Sequence, residues 1–289
     1  MPYVSMTKML HEAKIGHYAV AQINLNSFQW ADTVLSVAEE TKSPVILATS
    51  DRLVDFLGGF EFIAKTVQLM LKTKHITVPV ALHLDHGTTV ERCKQAIDAG
   101  YSSVMYDGSN LPIEKNILHT KEVVNYARKH GVSVEAEVGT VGGNEDGLVG
   151  GIRYANPDEC ERLVNETNVN ALAAALGSVH GHYKGKPKLG FMEMQDISSR
   201  VSVPLVLHGG SGIPLEDLQK AIDFGHAKIN VNTECMQAFT DAIRDFTCTN
   251  PNVYEYRLIT ENAMKEIGEI VKGKFRQFNS FGKAFEIEK

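Results

Sequence analysis

The sequence predicts an α/β fold, a (β/α)8 TIM barrel with an additional C-terminal helix. Three observations lead there. Eight short apolar runs are spread along the chain, amphipathic stretches alternate with them, and the length of 289 residues suits one barrel of roughly 250 residues plus a helical extension. Runs that are apolar at nearly every position belong to a parallel sheet covered on both faces; a one-sided sheet would alternate. Eight strand–helix units with right-handed crossovers close naturally into a barrel. No Pro-, Gly- or Ser-rich linker divides the chain, so residues 1–289 read as a single domain.

The predicted strands occupy residues 17–24, 44–50, 78–86, 102–107, 132–139, 171–180, 203–208 and 227–232. The helical patterns between them carry their own stop signals. Residues 91–98 end at Gly100, 114–130 at Gly131 and 215–224 at Gly225, each able to take the left-handed cap. Residues 157–165 follow Asn156, an N-cap type, with Pro157 at the first helical position, where a missing N–H is no loss. A last amphipathic stretch, 261–278, lies outside the eightfold count and supplies the extra helix. Residues 140–154 break the pattern of short connections and hold five glycines. A mobile loop of that length after a strand is either a lid over a site or a tolerated insertion.

Composition narrows the function. Hydrophobic residues at 43% and charged residues at 22% are the balance of an ordinary globule with a sizeable core, which excludes disorder and collagen-like structure. Twenty-nine basic against 35 acidic residues give a net charge of −6, so a nucleic-acid partner, which needs a basic stripe, is not expected. Apolar stretches such as 171–176 are too short for a bilayer, and the opening residues hold no apolar signal segment. Cys93, Cys160, Cys235 and Cys248 form no C-x-x-C pair and read as reduced thiols of a cytoplasmic protein.

Three histidines stand out from the 11 in the chain. His86, His180 and His208 each end a predicted strand, the third, sixth and seventh, and each precedes a glycine. Those ends converge on the active-site mouth of a barrel. One such histidine is as readily a satisfied polar residue as a ligand; three in the same topological position make a three-histidine metal site with an open fourth position. Imidazoles suit zinc, and cobalt or iron would also fit. Asp85 shares a strand face with His83 and adjoins His86, so it either holds a ligand or carries protons. Glu135 and Glu137 share a face of the fifth strand, either ion-paired or in use. Gly209, Gly210, Ser211 and Gly212 after the seventh strand, with Asn230, Asn232 and Thr233 after the eighth, offer N–H, amide and hydroxyl donors before a helix N-terminus. That is the usual phosphate corner of such barrels.

At this point the chain resembles the class II, metal-dependent aldolases over nearly its whole length. His83-Leu84-Asp85-His86-Gly87, Gly177-Ser178-Val179-His180-Gly181, Leu207-His208-Gly209-Gly210-Ser211-Gly212 and the segments 135–143 and 228–233 match in order and spacing. The resemblance implies that His86, His180 and His208 bind one catalytic zinc per subunit, and that Asp107 and Glu137 receive a displaced or second metal. It implies that Asp85 exchanges a proton with the substrate hydroxyl and that Glu145 protonates the carbanion carbon. Gly181, Gly209, Ser211, Asn230 and Thr233 would hold the phosphate of a dihydroxyacetone phosphate half, with a monovalent cation, Na+ or K+, beside it. Asn24, Lys184, Gly210 and Asn232 complete the expected substrate contacts. A phosphorylated sugar or sugar-acid substrate and a homodimer or homotetramer are also implied.

Within the family the sequence departs from the ketose-bisphosphate pattern. Met236 stands where many members carry a polar residue for the distal phosphate, and the region 254–257 lacks their Asp-Pro-Arg. The segments 28–30, 50–55, 146–151 and 232–236 are instead similar to the subgroup of bacterial myo-inositol breakdown. Its substrate, a phosphorylated 5-keto-2-deoxy sugar acid, yields dihydroxyacetone phosphate and malonate semialdehyde. Ser50 would face the distal end, and Arg52, two residues on, is either the partner of a distal carboxylate or an ordinary surface arginine. The rival readings are a fructose- or tagatose-bisphosphate aldolase, a Schiff-base enzyme using Lys184 or Lys228, and a non-catalytic sugar-phosphate-binding subunit.

Overall fold

The structure, a computed structural model, describes residues 2–145, 148–183 and 185–285, and within 144–150 the backbone alone. After α1 (Met6–Ile15) the chain alternates through β1 (Val20–Asn24), α2 (Phe28–Thr41), β2 (Val45–Ser50), α3 (Asp51–Phe56) and α4 (Phe60–Thr73). It continues through β3 (Val80–Gly87), α5 (Val90–Ala99), β4 (Ser103–Tyr106), α6 (Ile113–Lys129) and β5 (Ser133–Val138). Next come β6 (Gly142–Glu145), β7 (Leu148–Gly150), α7 (Pro157–Thr167), β8 (Ala171–Ala174) and β9 (Val179–His180). The last elements are α8 (Phe191–Arg200), β10 (Leu205–Leu207), α9 (Leu215–Asp223), β11 (His226–Val231), α10 (Thr233–Thr249) and α11 (Tyr256–Gln277).

Eight of the strands close a parallel barrel in the order β1-β11-β10-β8-β5-β4-β3-β2, as the eight apolar runs predict. The expected helix signals act where they stand. Gly100 caps α5 at φ 101°, and the Asn156 side chain accepts from the N–H groups of Asp158 and Glu159 to start α7. The additional helix α11 begins five residues before the pattern suggests and packs on α2 and α10.

Two expectations need correction. The sixth run does not continue to His180: β8 ends at Ala174, and the Leu176 carbonyl accepts from Gly190 instead of from a neighbouring strand. His180 lies on the short strand β9. The residues 140–154 are not a featureless loop; β6 and β7 pair as an antiparallel hairpin, and β6 pairs in parallel with β9. Gly143, at φ 96°, makes that closeness possible, because a Cβ there would collide with the His180 carbonyl oxygen.

The core has two parts. One lies between the barrel and its helices, with Ile23, Leu47, Leu82 and Ile229 fully buried. The other fills the lower barrel, where Met6, Met9, Leu10 and Ala13 of α1 meet Val20, Ile46, Ala81, Ala173 and Val206. The spacing i, i+3, i+4, i+7 gives α1 one apolar stripe, and that stripe plugs the N-terminal mouth. Only the opposite mouth remains for chemistry.

Candidate active site

Polar residues alternate within otherwise apolar barrel strands, and the period of two sends them inward. Gln22 and Asn24 of β1, His83 and Asp85 of β3, Glu135 and Glu137 of β5, and Lys228 and Asn230 of β11 are all buried. They meet across the barrel. Gln22 Nε2 donates to Asp85 Oδ2 at 2.7 Å, and Asn230 Nδ2 reaches the same oxygen at 3.3 Å. Burial alone would raise the Asp85 carboxyl, but His86, Lys228, His208 and His83 around it hold it well below the usual carboxylate range. The same contest brings Glu135 down to about 2: burial opposes ionisation, and Lys228 and His208 favour it.

The three strand-end histidines converge above this layer. Nitrogen atoms of His86, His180 and His208 lie within 4.8 Å of one another. His86 Nε2 and His208 Nδ1 are 2.9 Å apart. Behind them, His86 Nδ1 is 2.8 Å from Asp107 Oδ2, and His208 Nε2 is 3.0 Å from Glu135 Oε1. With both rear nitrogens against carboxylates, the two front nitrogens share one position, which suits a cation better than a hydrogen atom. Burial, then the neighbouring His86 and His208, push His180 well below its ordinary value and keep it the neutral imidazole a metal ligand must be. The donor set and geometry therefore fit a divalent metal. His86 itself sits at φ 50°, an uncommon conformation for a non-glycine residue that turns its ring toward the other two.

A second group, His86, Asp107 and Glu137, shares the same side of the site. Burial and the adjacent Asp107 raise Glu137 well above the usual carboxylate range. A third group, His83, Asp85 and Glu135, already has its cation: Lys228 Nζ is 2.8 Å from Glu135 Oε2.

Two cavities meet at His180. The smaller, about 50 Å3, is lined by Asn24, Gly181, Gly209, Ser211, Asn230, Asn232, Thr233 and Met236. The wider, about 420 Å3, is lined by Ser50, Arg52, His86, Asp107 and Glu137 with the residues around Tyr106 and Thr140. A polar nook beside a helix N-terminus thus adjoins a larger chamber across a cluster of imidazoles.

The sequence matches the family described as fructose-bisphosphate aldolase class-II over residues 4–283. The chain belongs to the class-II fructose-bisphosphate aldolase family. It is an aldolase, a carbon–carbon lyase on a TIM barrel. It is 62% identical to the 6-phospho-5-dehydro-2-deoxy-D-gluconate aldolase of Halalkalibacterium halodurans, covering 99% of both chains. It is 53% identical to a fructose-bisphosphate aldolase of Geobacillus stearothermophilus, covering 98% of this chain and 99% of that enzyme.

 Among solved structures, the YdjI aldolase of Escherichia coli superposes with a TM-score of 0.86 at 34% identity, covering 98% of this chain and all of that one.

Most of the expected aldolase residues line the two cavities; among the described side chains Asp85, His208 and Gly210 do not. The Gly210 N–H donates to the Asn230 carbonyl at 2.9 Å, and Gly210 lines neither cavity, because its place beneath the turn packs it on Ile229. Met236, expected at the distal end, lines the smaller cavity from the first turn of α10. Glu145 is placed by its backbone on β6, and its side chain lies outside the described residues, as does Lys184. Lys228 is fully buried against Glu135, which answers the question of that acid's partner and removes this lysine as an accessible amine. Sequence reasoning missed Gln22. Its signal was a lone amide inside an apolar strand, in register with Asn24 two residues on.

Proposed function

We propose that the protein cleaves 6-phospho-5-dehydro-2-deoxy-D-gluconate to dihydroxyacetone phosphate and malonate semialdehyde, with a divalent metal, zinc by preference, on His86, His180 and His208. Relatives carrying that substrate in their names are 56–62% identical over nearly the whole chain. The observation that carries the reading is the unlike chemistry of the two cavities: hydroxyl, amide and glycine donors on one side of His180, and Arg52 on the other. The first suits a phosphate and the second a carboxylate, which a guanidinium binds through two parallel hydrogen bonds.

When bound, the metal supplies Lewis-acid polarisation of the substrate ketone. The chain's own groups do the rest. Asp85, ionised and aimed by Gln22 and Asn230, accepts the proton of the substrate hydroxyl. As that C–O bond becomes a carbonyl, the adjacent C–C bond breaks and its electron pair passes to the ketone half, where Glu145 delivers a proton. Ser211, Asn230 and Thr233 hold the phosphate while this happens. The protein works as a single domain and a homo-oligomer in the cytoplasm; among the described residues no helix is long and apolar enough to cross a membrane.

The second reading, a fructose-bisphosphate aldolase, has the Geobacillus relative in its favour. Comparing kcat/KM for the two substrates separates them, and preference for fructose 1,6-bisphosphate overturns the first. On the acid substrate, Arg52→Ala is expected to lower kcat/KM by about 10–100-fold, the loss of one charge-assisted contact. Binding of dihydroxyacetone phosphate, which has no carboxylate, should change little.

A further inference from the structure

We infer that Glu135 and Lys228 are positioning residues that fix which nitrogen His208 offers to the metal. The inference rests on the ligand role proposed for His208. Lys228 Nζ lies 3.1 Å from Glu135 Oε1 and 2.8 Å from Oε2. An ammonium only donates, so Oε1, the oxygen it hydrogen-bonds, acts as an acceptor. Oε1 is also 3.0 Å from His208 Nε2. An accepting oxygen requires the hydrogen on Nε2, and a neutral imidazole has one such hydrogen. Nδ1 therefore keeps its lone pair, and Nδ1 is the atom 2.9 Å from His86 Nε2, where the ligands converge. Glu135 and Lys228 are fully buried and line neither of the two cavities, and Glu135 meets His208 directly. A Gln at 135 loses this direction: its amide can turn its NH2 to Nε2 and its oxygen to Lys228, which moves the imidazole hydrogen to Nδ1 and blocks the ligand.

The test uses full-length protein stripped of metal. Zinc affinity is measured by chelator competition for wild type, Glu135→Gln and the double variant Glu135→Gln/Lys228→Met, which replaces a buried ion pair by a neutral pair and keeps a folded variant available. The position of the His208 ring hydrogen is read from nitrogen-15 spectra. The expected results are a hydrogen on Nε2 in wild type, a zinc dissociation constant raised about 10–100-fold in Glu135→Gln, and recovery in the double variant, where no ammonium holds the amide oxygen and it can accept from Nε2, with unchanged circular dichroism. Wild-type zinc affinity in folded Glu135→Gln, or a wild-type hydrogen on Nδ1, overturns the inference. His208→Ala separates the two claims. If it binds zinc as wild type does, the ligand role itself fails; if it loses zinc while Glu135→Gln keeps it, only the positioning role fails.

Discussion

Asp85 is a buried carboxylate that stays ionised, and the reason is its company. Gln22 and Asn230 donate to it, and three imidazoles and an ammonium surround it. A group held this way accepts a proton only from a partner placed directly against it. Asp85→Ala leaves the three histidines in place, so it should retain metal by elemental analysis yet lose roughly 10²–10⁴-fold in kcat. A variant with wild-type turnover would remove Asp85 from proton transfer. At this scale the sequence was informative where chemistry is written locally. Asp85 adjoins His86, and both precede a glycine at a strand end. Gln22 shows only as a lone amide in an apolar strand, and its meaning comes from a carboxylate 63 positions away. The Lys228–Glu135 pair spans 93 positions, and no local pattern announces it.

Among the elements, the barrel strands were legible because burial on both faces leaves continuous apolar runs. The small three-stranded sheet was not: β6 and β7 are glycine-rich, and β9 is two residues long. The plug helix α1 was overlooked although Met6, Met9, Leu10 and Ala13 have helical spacing, since one short amphipathic turn or two before the first strand has no place in an eightfold count. Its importance is energetic. Met9 is fully buried beneath the barrel, so Met9→Ala should cost about 2–5 kcal/mol through lost burial and the cavity left behind. Urea unfolding measures this. The site lies at the other mouth, so zinc affinity of the folded variant should match wild type; a parallel loss of zinc would show that the plug and the site are coupled.

For the molecule as a whole, acid and metal act on the same folding equilibrium. His226 is buried with Nδ1 2.9 Å from the Ala221 carbonyl, and burial pushes it down to about 4. Its folded value is below the unfolded value of about 6.5, so the unfolded chain takes up the proton first. The stability tied to neutral His226 is therefore complete above about pH 6.5 and falls as pH drops toward 4, by up to about 1.4 kcal/mol per unit. His226→Asn, whose amide can still donate to Ala221, should flatten the stability profile in that window. An unchanged profile would mean other groups govern it.

Metal removal is the broader test, because the three proposed ligands on β3, β9 and the end of β10 would tie separate parts of the barrel mouth together. A ligand that binds only the folded state stabilises it by RT ln(1 + [L]/Kd), about 4 kcal/mol at a thousandfold excess over Kd. With roughly 2–4 °C of melting shift per kcal/mol at a size near this one, chelation should lower the melting temperature by roughly 8–16 °C and abolish cleavage. Added zinc or cobalt should restore both. His86→Ala should melt at the chelated value and ignore added metal, since it removes one of the two nitrogens that share the central position. The decisive comparison is made above pH 7, where protons do not compete for the imidazoles. If chelated and zinc-loaded wild type melt together there, and cleavage survives with no metal found, the convergence of three neutral histidines serves packing alone and the metal-dependent mechanism falls with it.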